Sequence, residues 1–280
     1  MAELPPSLAD RIRSHLAARD PGTAANLLAE HLETTQTGSY ALYSLLGSLF
    51  FQDGRHLNAA VAFKHAEALA PLDPPDRFTL AMAYVLLGRN DWARPELDRL
   101  CSRHPENPLH CYWLARLDFD DRRYAEAIER LHDVVDRFPD FLRAVDRLAL
   151  SYQYLGMFAE AETWFRRALE LNAALDRPWE WPYIDYGAML LEQGRIEEAR
   201  TMFEDAVRAA PENPVSHYQL ALALEKLGSL REAAASLDRC VALDPQHTQA
   251  WWALVRVRQR LGDRQGAQEA LRRFQESSPQ

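Results

Sequence analysis

Punctuating residues return along this chain at a fixed interval, and that interval limits the fold more than any other feature. Pro71, Pro105 and Pro139 stand 34 apart, as do Pro211, Pro245 and Pro279, with a gap of 72, twice 34 plus 4, between the two series. Ala59, Ala93, Ala127 and Ala161 keep the same step, and Ala199, Ala233 and Ala267 resume it after the same offset. Gly54, Gly88 and Gly156, then Gly194, Gly228 and Gly262, agree. Three residue types therefore place one four-residue insertion at 176–179. A period of this size marks stacked supersecondary units, each too small to bury its apolar face alone.

Each mark has a mechanical role in a helical hairpin. Glycine just past the first helix ends it in the left-handed conformation without a Cβ clash. Alanine early in the second helix lets the two backbones approach. Proline after the second helix stops it and suits the start of the next. Between the marks, apolar residues fall at helical spacing, as in Tyr43, Leu46 and Phe50, then Ala59, Phe63 and Ala66. Strand-like alternation is not sustained, so an all-α chain is expected.

With 48% apolar and 26% charged residues, the 280-residue chain has material for a substantial core and is not a disordered tail. Net charge is −9, which works against general attraction to nucleic-acid phosphates or anionic membranes. No stretch approaches the ~18 apolar residues of a membrane span, and the first residues contain no secretory apolar block, so a cytoplasmic location is expected. The cysteines are three, Cys101, Cys111 and Cys240, and reduced thiols are the simpler expectation.

The segments GSLFFQDGRHLNAAVAFKHAEALAP and GAMLLEQGRIEEARTMFEDAVRAAP resemble the tetratricopeptide repeat. The resemblance covers seven units, starting near 40, 74, 108, 142, 180, 214 and 248, with a degenerate capping helix pair at 6–39. It implies a single right-handed α-solenoid of stacked antiparallel helix pairs over 1–280: repeats one to four at 40–175, the insertion, then repeats five to seven at 180–280 with a self-capping last helix. The slot that usually holds a first-helix tryptophan carries Tyr43, Arg77, Cys111, Val145, Tyr183, His217 and Trp251. Arg77 is the sharpest departure, a cation at a normally buried position.

The resemblance also implies that first helices line a concave groove. The groove register holds Phe51, Phe78, Tyr112, Phe119, Tyr154, Trp181, Tyr218 and Trp252, residue types that dominate interface hot spots. About half are expected to pack into the wall and half to face a ligand, since an aromatic stripe at helical spacing usually belongs to the core. Arg116, Arg143 and Arg147 fall on the same register; they either form a basic spot for a partner's carboxylate or pair with Asp118, Asp120 or Asp146, and pairing is the favoured outcome. The fifth position of each unit is Ser44, Phe78, Tyr112, Asp146, Ile184, Tyr218 or Trp252, none basic, which disfavours the family's carboxylate clamp for chaperone tails. Trp179 and Trp181, between Pro178 and Pro182, are either a binding ridge or, as favoured, a plug for the gap at the insertion.

Cys101, His104, His110 and Cys111 are the nearest approach to a metal-ligand set, but their spacing matches no zinc motif, and ordinary core cysteines and surface histidines are expected. No phosphate loop, HExxH, nucleophile elbow or calcium loop is present, so no catalytic residue, metal or cofactor is assigned. The expected function is a non-catalytic scaffold or adaptor that binds a peptide segment of a protein partner in the aromatic groove. The alternatives are a self-associating structural protein, a homodimer for instance, and the regulatory subunit of an enzyme complex.

Overall fold

The computed structural model describes residues 4–35 and 38–277, so Pro279 of the proline series and part of the 6–39 segment lie outside the described residues. Among the described residues there are sixteen helices and no strand. They group into two compact units, one up to Phe138 and one from Pro139. The first contains α1 (Pro6–Ala17), α2 (Pro21–Thr35), α3 (Tyr40–Gln52), α4 (His56–Leu69), α5 (Pro74–Leu86), α6 (Asn90–Arg103), α7 (Pro108–Asp120) and α8 (Tyr124–Arg137). The second contains α9 (Leu142–Tyr154), α10 (Phe158–Ala173), α11 (Trp181–Glu192), α12 (Ile196–Ala209), α13 (Pro214–Lys226), α14 (Leu230–Leu243), α15 (Thr248–Leu261) and α16 (Arg264–Ser277).

The sequence period is the helix period. α3, α5, α7 and α9 start at 40, 74, 108 and 142, and α13 and α15 at 214 and 248, as the repeat spacing predicts. All six spacer glycines take positive φ at the first turn of each hairpin, from 67° at Gly88 to 81° at Gly228. The third unit lacks its glycine, and Arg122 occupies the left-handed position there at φ 60°. Three first helices, α5, α7 and α13, start at a side-chain cap followed by proline: the Asp73 carboxylate accepts from the Asp76 N–H at 2.9 Å, and the Asn107 and Asn213 side chains accept from Leu109 N–H at 3.0 Å and Val215 N–H at 2.8 Å.

Within each hairpin the core sits on small-against-large contacts. A Cβ on Gly47 would lie 2.9 Å from the Phe63 ring, and one on Gly187 2.6 Å from Phe203, so both helix pairs need glycine at the crossing. Phe63, Phe165 and Phe203, one in each of three second helices, are wholly buried. In α16, Ala267 and Ala270 are buried while Arg272 and Arg273 pair with Glu269 and Glu276 on the exposed side.

Arg77 is accommodated by charge rather than by apolar packing. It is 6% exposed and bonds to Glu96, itself 7% exposed, and to Glu67 at 3.1 Å, with Lys64 and Arg99 closing the network from outside. Asp118 is a second such node: 1% exposed, it accepts from Arg94 and Arg123 at 2.6 Å and Arg130 at 2.8 Å. These partners converge from different repeats, which the sequence alone does not reveal.

The expectation of reduced thiols fails at two of three positions. Cys101, at the end of α6, and Cys111, at the start of α7, form a disulfide across the turn between repeats, with Cα atoms 4.8 Å apart. Adjacent repeat helices must come this close at the turn, so the two cysteines bracketing it meet. Cys240 remains a free, buried thiol, and burial pushes its pKa up to about 12. No group of three or more metal-type side chains forms a metal site among the described residues, and no described helix is long and apolar enough to cross a membrane.

Candidate functional site

The groove-register aromatics divide by unit. In the first unit Tyr112 is 4% exposed, and Phe51, Phe78 and Phe119 are half-buried against His56, His110 and Tyr124 at ring separations of 5.4, 5.6 and 5.3 Å. In the second unit Tyr154, Trp181 and Trp252 are 59, 48 and 45% exposed, and Tyr218 is half-buried. Exposure of these rings therefore differs with position along the chain.

Two of these residues meet in one cleft. Tyr218 of α13 and Trp252 of α15, with Phe274 of α16, Ala253 and the stem of Arg256, line about 320 Å³ of space. Trp252 leans on Phe274 at 5.3 Å and Tyr218 on His247 at 4.8 Å, so the rings are propped from behind and present a preset surface. Arg256, the cation that lines the cleft, bonds to Glu225 at 2.8 Å, and Arg260 reaches the same carboxylate at 3.3 Å. The first unit also has a cleft, about 380 Å³ beside Tyr43, Phe50, Leu57 and Val61, but it holds none of the groove-register residues.

The tryptophans at the insertion are not a plug. Trp179 is 39% and Trp181 48% exposed. The gap is filled instead by Asn172, wholly buried, whose carboxamide donates to the Trp179 carbonyl and accepts from the Trp179 N–H, both at 2.8 Å. That clamp fixes the Trp179 backbone and leaves its ring outside, where the Arg143 guanidinium lies 5.3 Å from it.

The arginines of the register are engaged. Arg116, in the first unit, lies 4.5 Å over Trp113 and pairs with Asp120 at 3.8 Å, as favoured from sequence. In the second unit Arg147 faces Asp146 of α9 and Asp185 of α11, whose carboxyls hydrogen-bond to each other. Burial pushes Asp146 well above the usual carboxylate range and, against the pull of Arg147, pushes Asp185 up to about 6. Two neighbouring carboxyls raised in this way hold a proton at a higher pH than free carboxylates do. Sequence identified Asp146 as a non-basic fifth position and as one candidate partner for the register arginines; Asp185, one hairpin on, was not foreseen.

The profile of the tetratricopeptide repeat matches residues 78–140, 140–212 and 187–248. The chain belongs to the tetratricopeptide repeat family. Among solved structures, a tetratricopeptide repeat protein from Parabacteroides merdae aligns over 89% of this chain and 96% of its own, with TM-score 0.71 and 16% identity. YrrB, described as having an unusual peptide-binding site, aligns over 65% of this chain and 92% of its own with TM-score 0.52 and 17% identity. These likenesses establish the fold. Curated relatives include U-box domain-containing protein 70 of Oryza sativa subsp. japonica, 27% identical over 75% of this chain, and the peroxisomal targeting signal receptor of Kluyveromyces lactis, 25% identical over 69%. The chain spans only 26% and 34% of those two proteins' lengths. Tetratricopeptide repeats build protein-interaction scaffolds, and this array has the stacked helix pairs that such scaffolds use.

Proposed function

We propose that the chain is a non-catalytic adaptor that holds an extended or helical segment of a partner protein on its second unit. The observation that carries this is the Tyr218–Trp252 cleft: preformed, apolar inside, and open on the groove register. A partner's aliphatic or aromatic side chain fits the cleft, where rigid aromatic walls bury area at little entropic cost. Trp181 supplies a second exposed ring on the same register in this unit. The first unit, whose register aromatics are wall, acts mainly as support. The peroxisomal receptor and YrrB resemblances agree with peptide recognition as the class of task, while the partner here is this chain's own. Peptides selected from a random library against the whole chain test the proposal. Trp252→Ala is expected to weaken the selected peptides at least about tenfold, the loss of one hot-spot ring, with helicity unchanged. Undiminished affinity would reject the cleft as the docking site.

A further inference from the structure

We propose that Cys101–Cys111 is a thiol-exchange site at which a low-molecular-weight monothiol such as glutathione enters at Cys101 and expels Cys111 as a thiolate held by Arg137. The two sulfurs stand in unequal surroundings. Cys111 is 4% exposed, whereas Cys101, at the C-terminal end of α6, is partly exposed. An incoming thiolate therefore reaches Cys101 Sγ first. Arg137, in the last turn of α8, points Nη2 at Cys111 Sγ from 4.0 Å. Its other donors go to neutral oxygens, Nε to the Asp133 carbonyl at 2.9 Å and Nη1 to the Pro105 carbonyl at 3.5 Å. Among the described residues no carboxylate pairs with it, so its charge is available to a developing thiolate. His110, beside Cys111, is 4% exposed, and burial holds its pKa below the usual histidine value, leaving Arg137 as the cation that faces the leaving sulfur. A cation beside the leaving sulfur lowers its thiol pKa and speeds exchange.

The electron count closes with two thiols. The first thiolate bonds to Cys101 Sγ, the Cys101–Cys111 bond breaks, and its electron pair stays on Cys111 Sγ. A second thiolate attacks the glutathione sulfur of the mixed disulfide, which releases glutathione disulfide and returns Cys101 as a thiolate that takes a proton from water. The protein gains two electrons and the two glutathiones lose them. Opening frees the end of α6 from the start of α7, next to Tyr112 and to the Phe78–His110 contact of 5.6 Å in the first unit's wall. Cys240, buried with its thiol pushed up to about 12, stays out of the exchange and serves as an internal control.

The test uses the whole oxidised chain, mixed with reduced glutathione, alkylated at early times while still folded, then quenched by acid and read by peptide mass mapping. Glutathione is expected on Cys101, with the alkyl label on Cys111 and Cys240 unlabelled under native conditions. Arg137→Gln is expected to slow opening about threefold or more, while Arg103→Gln, in the last turn of α6 beside Cys101, leaves the rate unchanged. Three results would overturn the proposal: both thiols free after air oxidation of the purified chain, glutathione on Cys111 as often as on Cys101, or an Arg137→Gln rate equal to wild type. The regiochemistry needs no variant, so it decides the matter even where Arg137→Gln folds poorly.

Discussion

The two units share a repeat and differ in what they bury. Among the described residues the nearly inaccessible Asp, Glu, Arg and His side chains, Asp76, Arg77, Glu96, His110 and Asp118, lie in the first unit, whereas in the second the nearly inaccessible polar residues are Ser151, Asn172 and Ser216, beside the thiol of Cys240 and the half-buried Asp146–Asp185 pair. Exposure runs the other way: the large exposed aromatics of the second unit are Tyr154, Trp179, Trp181 and Trp252, against Trp92 in the first. The first unit locks its helices with buried ion pairs and a disulfide, whose partners must match. Both units share the glycine–phenylalanine crossing, Gly47 with Phe63 and Gly187 with Phe203, so they differ in buried charge and in the aromatics left exposed.

The comparison breaks most sharply at Arg77. Arg77→Ala strands Glu96 in a site 7% exposed, and the expected loss is about 3 kcal/mol by chemical denaturation. Lys64 and Arg99, at 3.4 and 3.6 Å from Glu96, keep it from being larger. The double change Arg77→Leu with Glu96→Leu recovers most of it, since an apolar pair of similar size needs no partner. In the second unit the equivalent weak point is steric. Gly187→Ala puts a methyl 2.6 Å from the Phe203 ring and is expected to cost about 2 kcal/mol, read as a lowered denaturation midpoint.

A third test sharpens the contrast through pH. The Asp146–Asp185 pair keeps a proton that the unfolded chain releases near the ordinary 3.8, because Asp185 titrates at about 6 in the fold and Asp146 is raised well above its ordinary value. The folded state binds more protons in that window, so stability is greatest at its acidic side and falls as pH rises through about 6. Asp185→Asn removes one of the two buried carboxylates and is expected to stabilise the chain at pH 7.5 by roughly 1–2 kcal/mol and to flatten the slope of stability between about pH 4 and 6. The smallest effect is at Arg122, a non-glycine residue at φ 60°. Arg122→Gly is expected to gain about 1 kcal/mol, partly offset by the freer unfolded chain, as a rise in the thermal midpoint.

Much of this fold was legible from spacing alone, because proline, glycine and alanine each act locally: a helix that must stop at Gly54 stops there whatever lies across from it. Starts of first helices followed to within a residue, and α11 began at Trp181 against an expected 180. Arg77, the Cys101–Cys111 bond and the Asn172 clamp were not legible. Each depends on which side chain from a neighbouring hairpin or turn arrives opposite, and periodicity fixes the backbone approach without naming that partner. The helical faces carrying the register aromatics were legible as positions. Their division into buried and exposed rings was not, since exposure of Trp252 or burial of Tyr112 is decided by neighbours such as Phe274 and Trp113.

Amide hydrogen exchange on the whole chain, with and without a saturating library-selected peptide, tests the division of labour most directly. Slowed exchange is expected in Pro214–Lys226 and Thr248–Leu261, the helices that carry Tyr218 and Trp252, with the α3, α5 and α7 amides unchanged. Protection confined to the first unit's helices would contradict the account.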